Sequence, residues 1–263
     1  MKIGVQLYTL RNYTQNPQDI EATLRKVKAM GFDMVQISGL GSCDIDQLAG
    51  WTQELGLEVC GTHSPWDRIA EPAELKKLIE EHKKLKCFDI GMGIKPGIFP
   101  DSYEGYTSFI KKLNTICAMV RDNGLTFGYH NHDLEFQKFN GQRAIDRLIE
   151  ECPDLYFILD VFWVQAGGSN PSEYLDKLKE RIKIVHLKDY RMTGRTRQFA
   201  EIGEGNLDWS DIIPRCVHNG IPYAVIEQDG DFLVDPFESL ALSKKFLTEN
   251  GYWTHNEQEL PFV

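Results

Sequence analysis

Ionisable side chains end four apolar runs in the second half of this 263-residue sequence. Imidazole and carboxylate groups together form a mixed nitrogen and oxygen ligand set, which suits a divalent cation such as Mn²⁺, Mg²⁺, Co²⁺ or Zn²⁺. A bound cation relieves the repulsion between crowded carboxylates and polarises substrate oxygens. The candidate ligands and catalytic groups are His130, His132, Glu135, Asp160, His186, Lys188 and Glu227.

Packing offers a competing explanation for the candidate ligands. Asp160 and Glu227 each follow strongly apolar residues, where either a salt bridge or a metal would compensate for burying the carboxylate. His186 alone would be interpreted as a hydrogen-bonded core histidine, but two carboxylates on neighbouring strands favour a ligand role. His130 and His132 lie two residues apart in an extended run, so both side chains point to one face. We expect one of them to be a ligand and the other to support the site or contact substrate.

Two charged residues near these ligands have alternative roles. Glu135 lies in the loop after the fifth run and is a candidate general base or fourth ligand, or a solvated residue. Lys188 either forms a surface ion pair with Asp189 or reaches the site, because it shares a face with His186. In the second case its ammonium would stabilise a developing oxyanion.

Aromatic residues near the ends of other runs are candidates for substrate contact. His63 would hold substrate hydroxyls, and Trp66 and Trp163 would stack on a sugar ring, although packing explains the two tryptophans equally well. Tyr8, in the opening run, is a further candidate. The remaining histidines are predicted to lie at the surface: His82, His218 and His255.

A regular alternation of apolar runs and amphipathic segments must position these groups. The runs are residues 3–10, 32–38, 57–63, 88–93, 125–132, 155–163, 182–189 and 223–229. Runs that are apolar on both faces are typical of parallel strands covered by helices. Eight strand–helix units predict a single (β/α)₈ TIM barrel over residues 1–263, with its active site at the C-terminal ends of the strands. A doubly wound sheet is less favoured, because no glycine-rich turn follows the first run.

Composition limits the kind of partner. The net charge of −10 disfavours a protein that binds nucleic-acid phosphates, since such a protein needs a basic face. No run approaches 18 apolar residues, so no membrane contact is expected, and no signal peptide is apparent. The six cysteines are scattered, which is typical of reduced thiols in a cytoplasmic protein. A small neutral or cationic molecule is the expected partner, and a homo-oligomer is compatible with the sequence.

Several motifs resemble those of the xylose isomerase-like TIM barrels, the sugar phosphate isomerase/epimerase superfamily. They are KIGVQLYTLR at the start, YHNHDLEF, LDVFW, HLKD, the loop at residues 201–209 and VIEQD. The YHNHDLEF and HLKD pair is similar to the subgroup that contains inosose dehydratase and enzymes acting on keto sugars and glycosides. The resemblance covers nearly the whole chain and implies the superfamily but no particular substrate.

The resemblance also implies a ligand set. The family typically holds its metal, here expected to be Mn²⁺, with acids on strands five, six and eight and a histidine on strand seven. The last three positions correspond to Asp160, His186 and Glu227. At strand five this sequence has His130 instead of an acid, which makes His130 the expected fourth ligand with Glu135 in reserve. This departure argues against an epimerase with two glutamates on opposite faces of the carbon.

The expected reaction is proton abstraction next to a carbonyl through an enediolate, with Glu227, Glu135 or His132 as the base and Lys188 steadying the negative oxygen. Return of the proton elsewhere gives isomerisation or epimerisation. Loss of a β-substituent gives a lyase, dehydratase or deglycosidase acting on keto sugars or keto-inositols. Competing hypotheses are a non-catalytic sugar-binding barrel, a metal-dependent endonuclease and a subunit active only in a hetero-complex.

Overall fold

In the computed structural model, which describes residues 1–253, the chain folds into a parallel β-barrel surrounded by helices. The barrel strands are β1 (Lys2–Gln6), β2 (Met34–Ile37), β3 (Glu58–Thr62), β4 (Asp89–Met92), β5 (Thr126–His130), β6 (Leu155–Asp160), β7 (Ile182–Leu187) and β8 (Tyr223–Ile226). Each strand overlaps one of the eight apolar runs of the sequence. The predicted (β/α)₈ barrel is therefore confirmed.

The strands pair in the order β3-β2-β1-β8-β7-β6-β5-β4, and every pair is parallel. The two end strands meet where the Ser64 amide donates to the Gly91 carbonyl oxygen at 2.8 Å. A Cβ atom at Gly91 would lie 2.1 Å from the Thr62 carbonyl oxygen. Glycine is therefore required at this position for β4 to approach β3 and close the barrel.

Helices alternate with the strands and cover the outside of the barrel. They are α1 (Pro17–Ala29), α2 (Ile45–Glu54), α3 (Trp66–Ala70), α4 (Pro72–Lys84), α5 (Tyr103–Arg121), α6 (Ala144–Glu151), α7 (Val161–Ala166), α8 (Pro171–Lys177), α9 (Trp209–His218) and α10 (Pro236–Glu249). Short 3₁₀ helices lie at Leu7–Tyr13, Asp133–Phe136 and Lys179–Arg181. No helix within residues 1–253 has the length and apolar character needed to cross a membrane.

Local signals in the sequence explain where several helices begin and end. The glycines that follow five helical segments adopt positive φ angles: Gly31, Gly56, Gly124, Gly220 and Gly251. This left-handed conformation ends a helix without the steric cost that a Cβ atom would add. The side chains of Asn170 and Asp235 cap α8 and α10, each directly before a proline in the first turn.

Two β-hairpins extend from the barrel on its C-terminal side. Lys138–Phe139 pairs with Gln142–Arg143, and Asp189–Thr193 pairs with Thr196–Ala200. The second hairpin follows β7 directly and packs Phe199 against Phe162 of α7, with ring centroids 5.3 Å apart. Its position brings aromatic side chains next to the strand ends.

The barrel interior changes from apolar to polar at one level. Its apolar layer consists of Met34, Cys60, Ile158, Ile184 and Val225. Four polar residues lie two positions after Met34, Ile158, Ile184 and Val225, and they point into the barrel as well. They are Gln36, Asp160, His186 and Glu227. Because side chains alternate across a strand, this step of two keeps the polar groups pointing into the barrel. The polar layer lies at the C-terminal ends of the strands, where TIM-barrel enzymes place their active sites.

Candidate metal centre

Four buried side chains from β5, β6, β7 and the end of β8 converge inside the barrel. They are His130, Asp160, His186 and Glu227, and their potential ligand atoms lie within 4.8 Å of one another. His186 Nδ1 is 2.7 Å from Glu227 Oε2, and His130 Nε2 is 3.3 Å from Asp160 Oδ2. Asp160 and His186 are direct partners in the β6–β7 register. We call these four residues the ligand cluster.

The hydrogen bonds of both imidazoles fix which ring nitrogen faces the carboxylates. His186 Nε2 lies 2.6 Å from the Gln36 amide oxygen, and His130 Nδ1 lies 3.0 Å from the Gly93 carbonyl oxygen. Oxygens of this kind only accept, so these nitrogens donate, and in a neutral ring the other nitrogen carries a lone pair. That lone pair points at a carboxylate oxygen, and two acceptors in contact need a shared proton or cation between them. Metal-binding histidines are held in the same way by their second nitrogen.

The charge state of the ligand cluster also suits a cation. Burial, followed by the nearby His186 ring, lowers the pKa of His130 well below its ordinary value, which keeps the imidazole neutral. Neutral imidazole is the form that binds metals. Three carboxylates surround the single ammonium of Lys188 at this end of the barrel: Asp160, Glu227 and Asp229. A divalent cation would balance the remaining negative charge.

Lys188 reaches the ligand cluster rather than the surface. Its ammonium is almost fully buried, lies 2.8 Å from Glu227 Oε2 and is 5.4 Å from the centre of the Trp163 ring. Burial alone would lower the pKa of Lys188, but the negative charges of Asp160 and then Glu227 raise it above its ordinary value. Lys188 therefore remains an ammonium.

Asp189 is not the surface ion-pair partner of Lys188 that the sequence offered as one explanation. It is fully buried, and its carboxylate accepts a hydrogen bond from the Trp209 indole at 2.7 Å. It also accepts from the backbone amides of Tyr190, Gly203, Asn206 and Leu207. Since a carboxylate can accept several hydrogen bonds at once, Asp189 organises the loop at residues 201–209.

Glu135 lies apart from the ligand cluster. Its two oxygens accept from the Tyr129 hydroxyl at 2.6 Å and from the His132 backbone amide at 2.7 Å. Tyr129 precedes His130 on β5, and adjacent strand residues point to opposite faces, so Glu135 is held on the helix side of the strand. Burial raises its pKa to about 7. The structure thus gives both Glu135 oxygens a structural partner and brings His130, not Glu135, to Asp160, His186 and Glu227.

Two further histidines lie beside the ligand cluster. The His63 ring is stacked 5.4 Å from His186, and the His132 ring lies 4.7 Å from His130. His132 also contacts Trp163, with ring centroids 5.0 Å apart. One ring nitrogen of each of these two histidines, His63 Nε2 and His132 Nδ1, is buried without a protein partner.

Trp66 and Tyr8 occupy different surroundings from the other substrate-contact candidates. The Trp66 ring packs against Phe99 and Phe109, with centroids 5.5 and 6.5 Å away. Tyr8 is 38% exposed in the 3₁₀ helix after β1, and the Arg11 guanidinium lies 4.4 Å from its ring centre. Trp66 therefore has the aromatic neighbours that the packing alternative predicts, while Tyr8 stays accessible on the C-terminal side of the barrel.

One histidine predicted at the surface is buried. His82 of α4 is 2% exposed, with Nε2 2.9 Å from the Thr62 hydroxyl and Nδ1 2.7 Å from the Leu78 carbonyl oxygen. The prediction for His82 was wrong because the face of α4 that carries it turns toward β3. His218 is exposed, as predicted, and His255 lies outside the described residues.

Sequence reasoning missed three residues that support the ligand cluster. Gln36 accepts from His186, and Asp229 accepts from Lys188 at 2.9 Å. The Asn131 side chain accepts a hydrogen bond from the Asp160 amide at 3.0 Å and donates one to the Asp160 carbonyl oxygen at 3.3 Å. Asp229 could have been predicted, because it lies two residues after Glu227 and residues two apart in an extended chain point to the same face. No comparable signal identifies Gln36, whose role depends on a contact across the barrel.

Comparisons with known proteins agree with this architecture. Residues 24–229 match the family model described as xylose isomerase-like TIM barrel. An inosose dehydratase of Clostridium botulinum (strain Alaska E43 / Type E3) is 26% identical over 208 residues, 72% of this chain and 67% of that protein. Matches to other curated relatives span about half of their length.

Two solved structures share the fold at low sequence identity. A sugar phosphate isomerase/epimerase from Parabacteroides distasonis superposes with a TM-score of 0.78 at 22% identity, covering 95% of this chain and 99% of that one. An L-ribulose 3-epimerase gives 0.71 at 16% identity, with 95% and 94% covered.

Proposed function

The chain belongs to the xylose isomerase-like TIM barrels, and on that basis we propose that it is a divalent-metal-dependent enzyme acting on a sugar-like ketone. Its first step is removal of a proton from the carbon next to the carbonyl, and its first candidate activity is isomerisation or epimerisation. The observation that carries the proposal is the ligand cluster, in which imidazole nitrogens face carboxylate oxygens inside the barrel. Asp160, Glu227, His130 and His186 would hold the metal.

The bound metal would supply Lewis acidity to the substrate carbonyl and an adjacent hydroxyl, which makes the neighbouring C–H bond more acidic. Mn²⁺ is our first candidate because two carboxylates and two imidazoles mix the preferences of hard and borderline ions. Mg²⁺, Co²⁺ and Zn²⁺ share part of this preference.

Two groups of the chain are placed to take the proton. Glu227 lies in the ligand cluster, and His132 offers a ring nitrogen without a protein partner beside it. Glu135 is no longer a candidate base in this proposal, since both its oxygens accept hydrogen bonds on the helix side of β5. The base takes the proton, and the electron pair of the broken C–H bond moves to the carbonyl oxygen to form the enediolate. Lys188, buried beside Glu227, would stabilise that negative oxygen.

Recognition of a polyhydroxylated molecule is supported by unpaired polar atoms around the ligand cluster. Gln36 Nε2 and Trp163 Nε1 are buried donors without a partner, and Asp229 Oδ1 is a buried acceptor without one. An unpaired buried polar atom costs about 1–3 kcal/mol, which a substrate hydroxyl would recover. A substrate with several hydroxyl groups offers donors and acceptors to satisfy all three. His63 would join this set, and Tyr8 would contact the outer part of the substrate.

Dehydration is the second candidate activity, and a specific observation favours it. An epimerase with two carboxylate bases needs an acid on β5 as well as after β8, and the β5 position is His130. Both His130 nitrogens are engaged, by the Gly93 carbonyl and by Asp160. After the same proton abstraction, the protonated base can return that proton to the β-hydroxyl, which leaves as water while the enediolate electron pair forms the C=C bond, so no second carboxylate is needed. The similarity to an inosose dehydratase supports this outcome.

Hydrogen exchange in D₂O tests the shared first step. The protein, loaded with Mn²⁺, is incubated with a panel of keto sugars and keto-inositols, and deuterium at the α-carbon is followed by NMR and mass spectrometry. We expect exchange with at least one compound and its loss in His132→Gln if His132 is the base. Glu227→Gln should abolish exchange in either case, because Glu227 would also hold the metal. Absence of exchange, isomer and dehydrated product across the panel would contradict the proposal and favour a sugar-binding barrel.

A further inference from the structure

The Lys188 ammonium makes three ion pairs inside the barrel. Its Nζ atom lies 3.1 Å from Asp160 Oδ2, 2.8 Å from Glu227 Oε2 and 2.9 Å from Asp229 Oδ2. Only the contact with Asp229 also has hydrogen-bond geometry, so Asp229 is the carboxylate that orients the ammonium.

Two of those three carboxylate oxygens also face the imidazoles of the ligand cluster. Asp160 Oδ2 faces His130, and Glu227 Oε2 faces His186. A cation held by the ligand cluster and the Lys188 ammonium therefore depend on the same two oxygens. Like charges that share partners in a buried site repel each other strongly, because little water screens them.

Lys188 has no alternative position in water. Its side chain is 1% exposed, and the Trp163 and Phe199 ring centres lie 5.4 and 5.8 Å from Nζ. Its remaining anionic contact is Asp229, which lies outside the ligand cluster. The Asp229 backbone is itself anchored, because its carbonyl oxygen accepts from the Arg11 guanidinium at 2.8 Å.

From this arrangement we infer that Asp229 is a positioning residue, which holds the Lys188 ammonium in the site beside a bound divalent cation. It offers a carboxylate that the cation does not use, and so lets an ammonium and a metal ion share one small buried volume. The inference rests on the proposed function, because it presumes that the ligand cluster binds a divalent cation. Without Asp229, Lys188 would compete with the cation for Asp160 and Glu227.

A double-mutant cycle on Mn²⁺ affinity tests this role without any substrate. Isothermal titration of the whole chain with MnCl₂ compares wild type, Asp229→Asn, Lys188→Met and the double variant. We expect Asp229→Asn to weaken binding by at least about tenfold, which is within the range of couplings between contacting residues. Lys188→Met should tighten binding, since it removes the competing charge. In the Lys188→Met background, Asp229→Asn should change affinity by less than about threefold.

The outcomes separate this inference from the proposed function. Equal weakening by Asp229→Asn in both backgrounds would make Asp229 a ligand or a distant charge and would overturn the positioning role, as would no weakening in either. A wild-type chain that binds no Mn²⁺ would instead overturn the proposed function and the inference with it. Asp133→Asn, which removes another carboxylate on the C-terminal side of the barrel, is the matched control and should leave affinity unchanged. Thermal melts verify folding, and Lys188→Gln replaces Lys188→Met if that variant does not fold.

Discussion

Replacing Glu135 by glutamine should change how the stability of the barrel depends on pH. The Glu135 carboxyl is fully buried, and burial raises its pKa to about 7, compared with 4.5 for an ordinary glutamate. Hydrogen bonds from Tyr129 and the His132 amide oppose that rise but do not cancel it. Glutamine keeps the shape and an acceptor oxygen for the His132 amide, and it cannot ionise.

The sign follows from proton linkage. In the unfolded chain Glu135 ionises near pH 4.5, while in the folded chain it stays protonated up to about pH 7. Between these values the folded state binds more protons, so rising pH favours unfolding until the folded carboxyl also ionises. A pKa difference of one unit between the folded and unfolded chain corresponds to about 1.4 kcal/mol. The contribution of Glu135 should therefore lower the free energy of unfolding of the wild type by about 2–3 kcal/mol between pH 5 and pH 8. The Glu135→Gln variant should not show that loss.

Thermal unfolding followed by circular dichroism from pH 5 to pH 8 measures the difference. For a domain of this size about 1 kcal/mol moves Tm by 2–4 °C, so the Tm of Glu135→Gln relative to wild type should rise by roughly 5–10 °C across this range. Glu180→Gln removes an exposed carboxylate and should follow the wild-type profile. Parallel profiles for wild type and Glu135→Gln would refute the reasoning, because they would mean that Glu135 ionises alike in the folded and unfolded chains.

Three further predictions concern the ligand cluster and the barrel. Gln36→Leu removes the acceptor of His186 Nε2 and should weaken Mn²⁺ binding by about 10–100-fold in isothermal titration, whereas an unchanged affinity would deny Gln36 a role in orienting His186. Mn²⁺ at about 100 times its dissociation constant should stabilise the fold by about 2.7 kcal/mol, seen as a higher Tm that EDTA reverses; a Tm indifferent to Mn²⁺ would contradict the site. Gly91→Ala places a Cβ atom 2.1 Å from the Thr62 carbonyl and should lower Tm or prevent folding, while wild-type stability would show that β3 and β4 can separate at little cost.

The sequence predicted the barrel because its signals are local and repeated. Each strand was visible as an apolar run, and glycines such as Gly31 and Gly124 mark helix ends through the positive φ angles that they adopt. His130, Asp160 and His186 were expected to meet because they lie near the C-terminal ends of adjacent strands. Period-two alternation and strand order were sufficient for that expectation.

Contacts that depend on three-dimensional packing could not be predicted in the same way. Glu135 follows β5 closely in sequence, yet the chain turns so that its carboxylate bonds Tyr129 on the helix side. Gln36 reaches His186 from the opposite part of the sequence, and no local pattern identifies such a pair. His82 has charged neighbours that suggest a surface position, and only the packing of α4 on β3 buries it.

Metal content is the most direct test of the central claim, that His130, Asp160, His186 and Glu227 form a metal centre. The chain is purified without a chelator, equilibrated with MnCl₂ and desalted, and its metals are measured by inductively coupled plasma mass spectrometry. We expect about one divalent ion per chain in the wild type and almost none in Asp160→Asn or His186→Ala, with circular dichroism confirming that both variants fold. Full metal content in folded Asp160→Asn and His186→Ala would contradict the account.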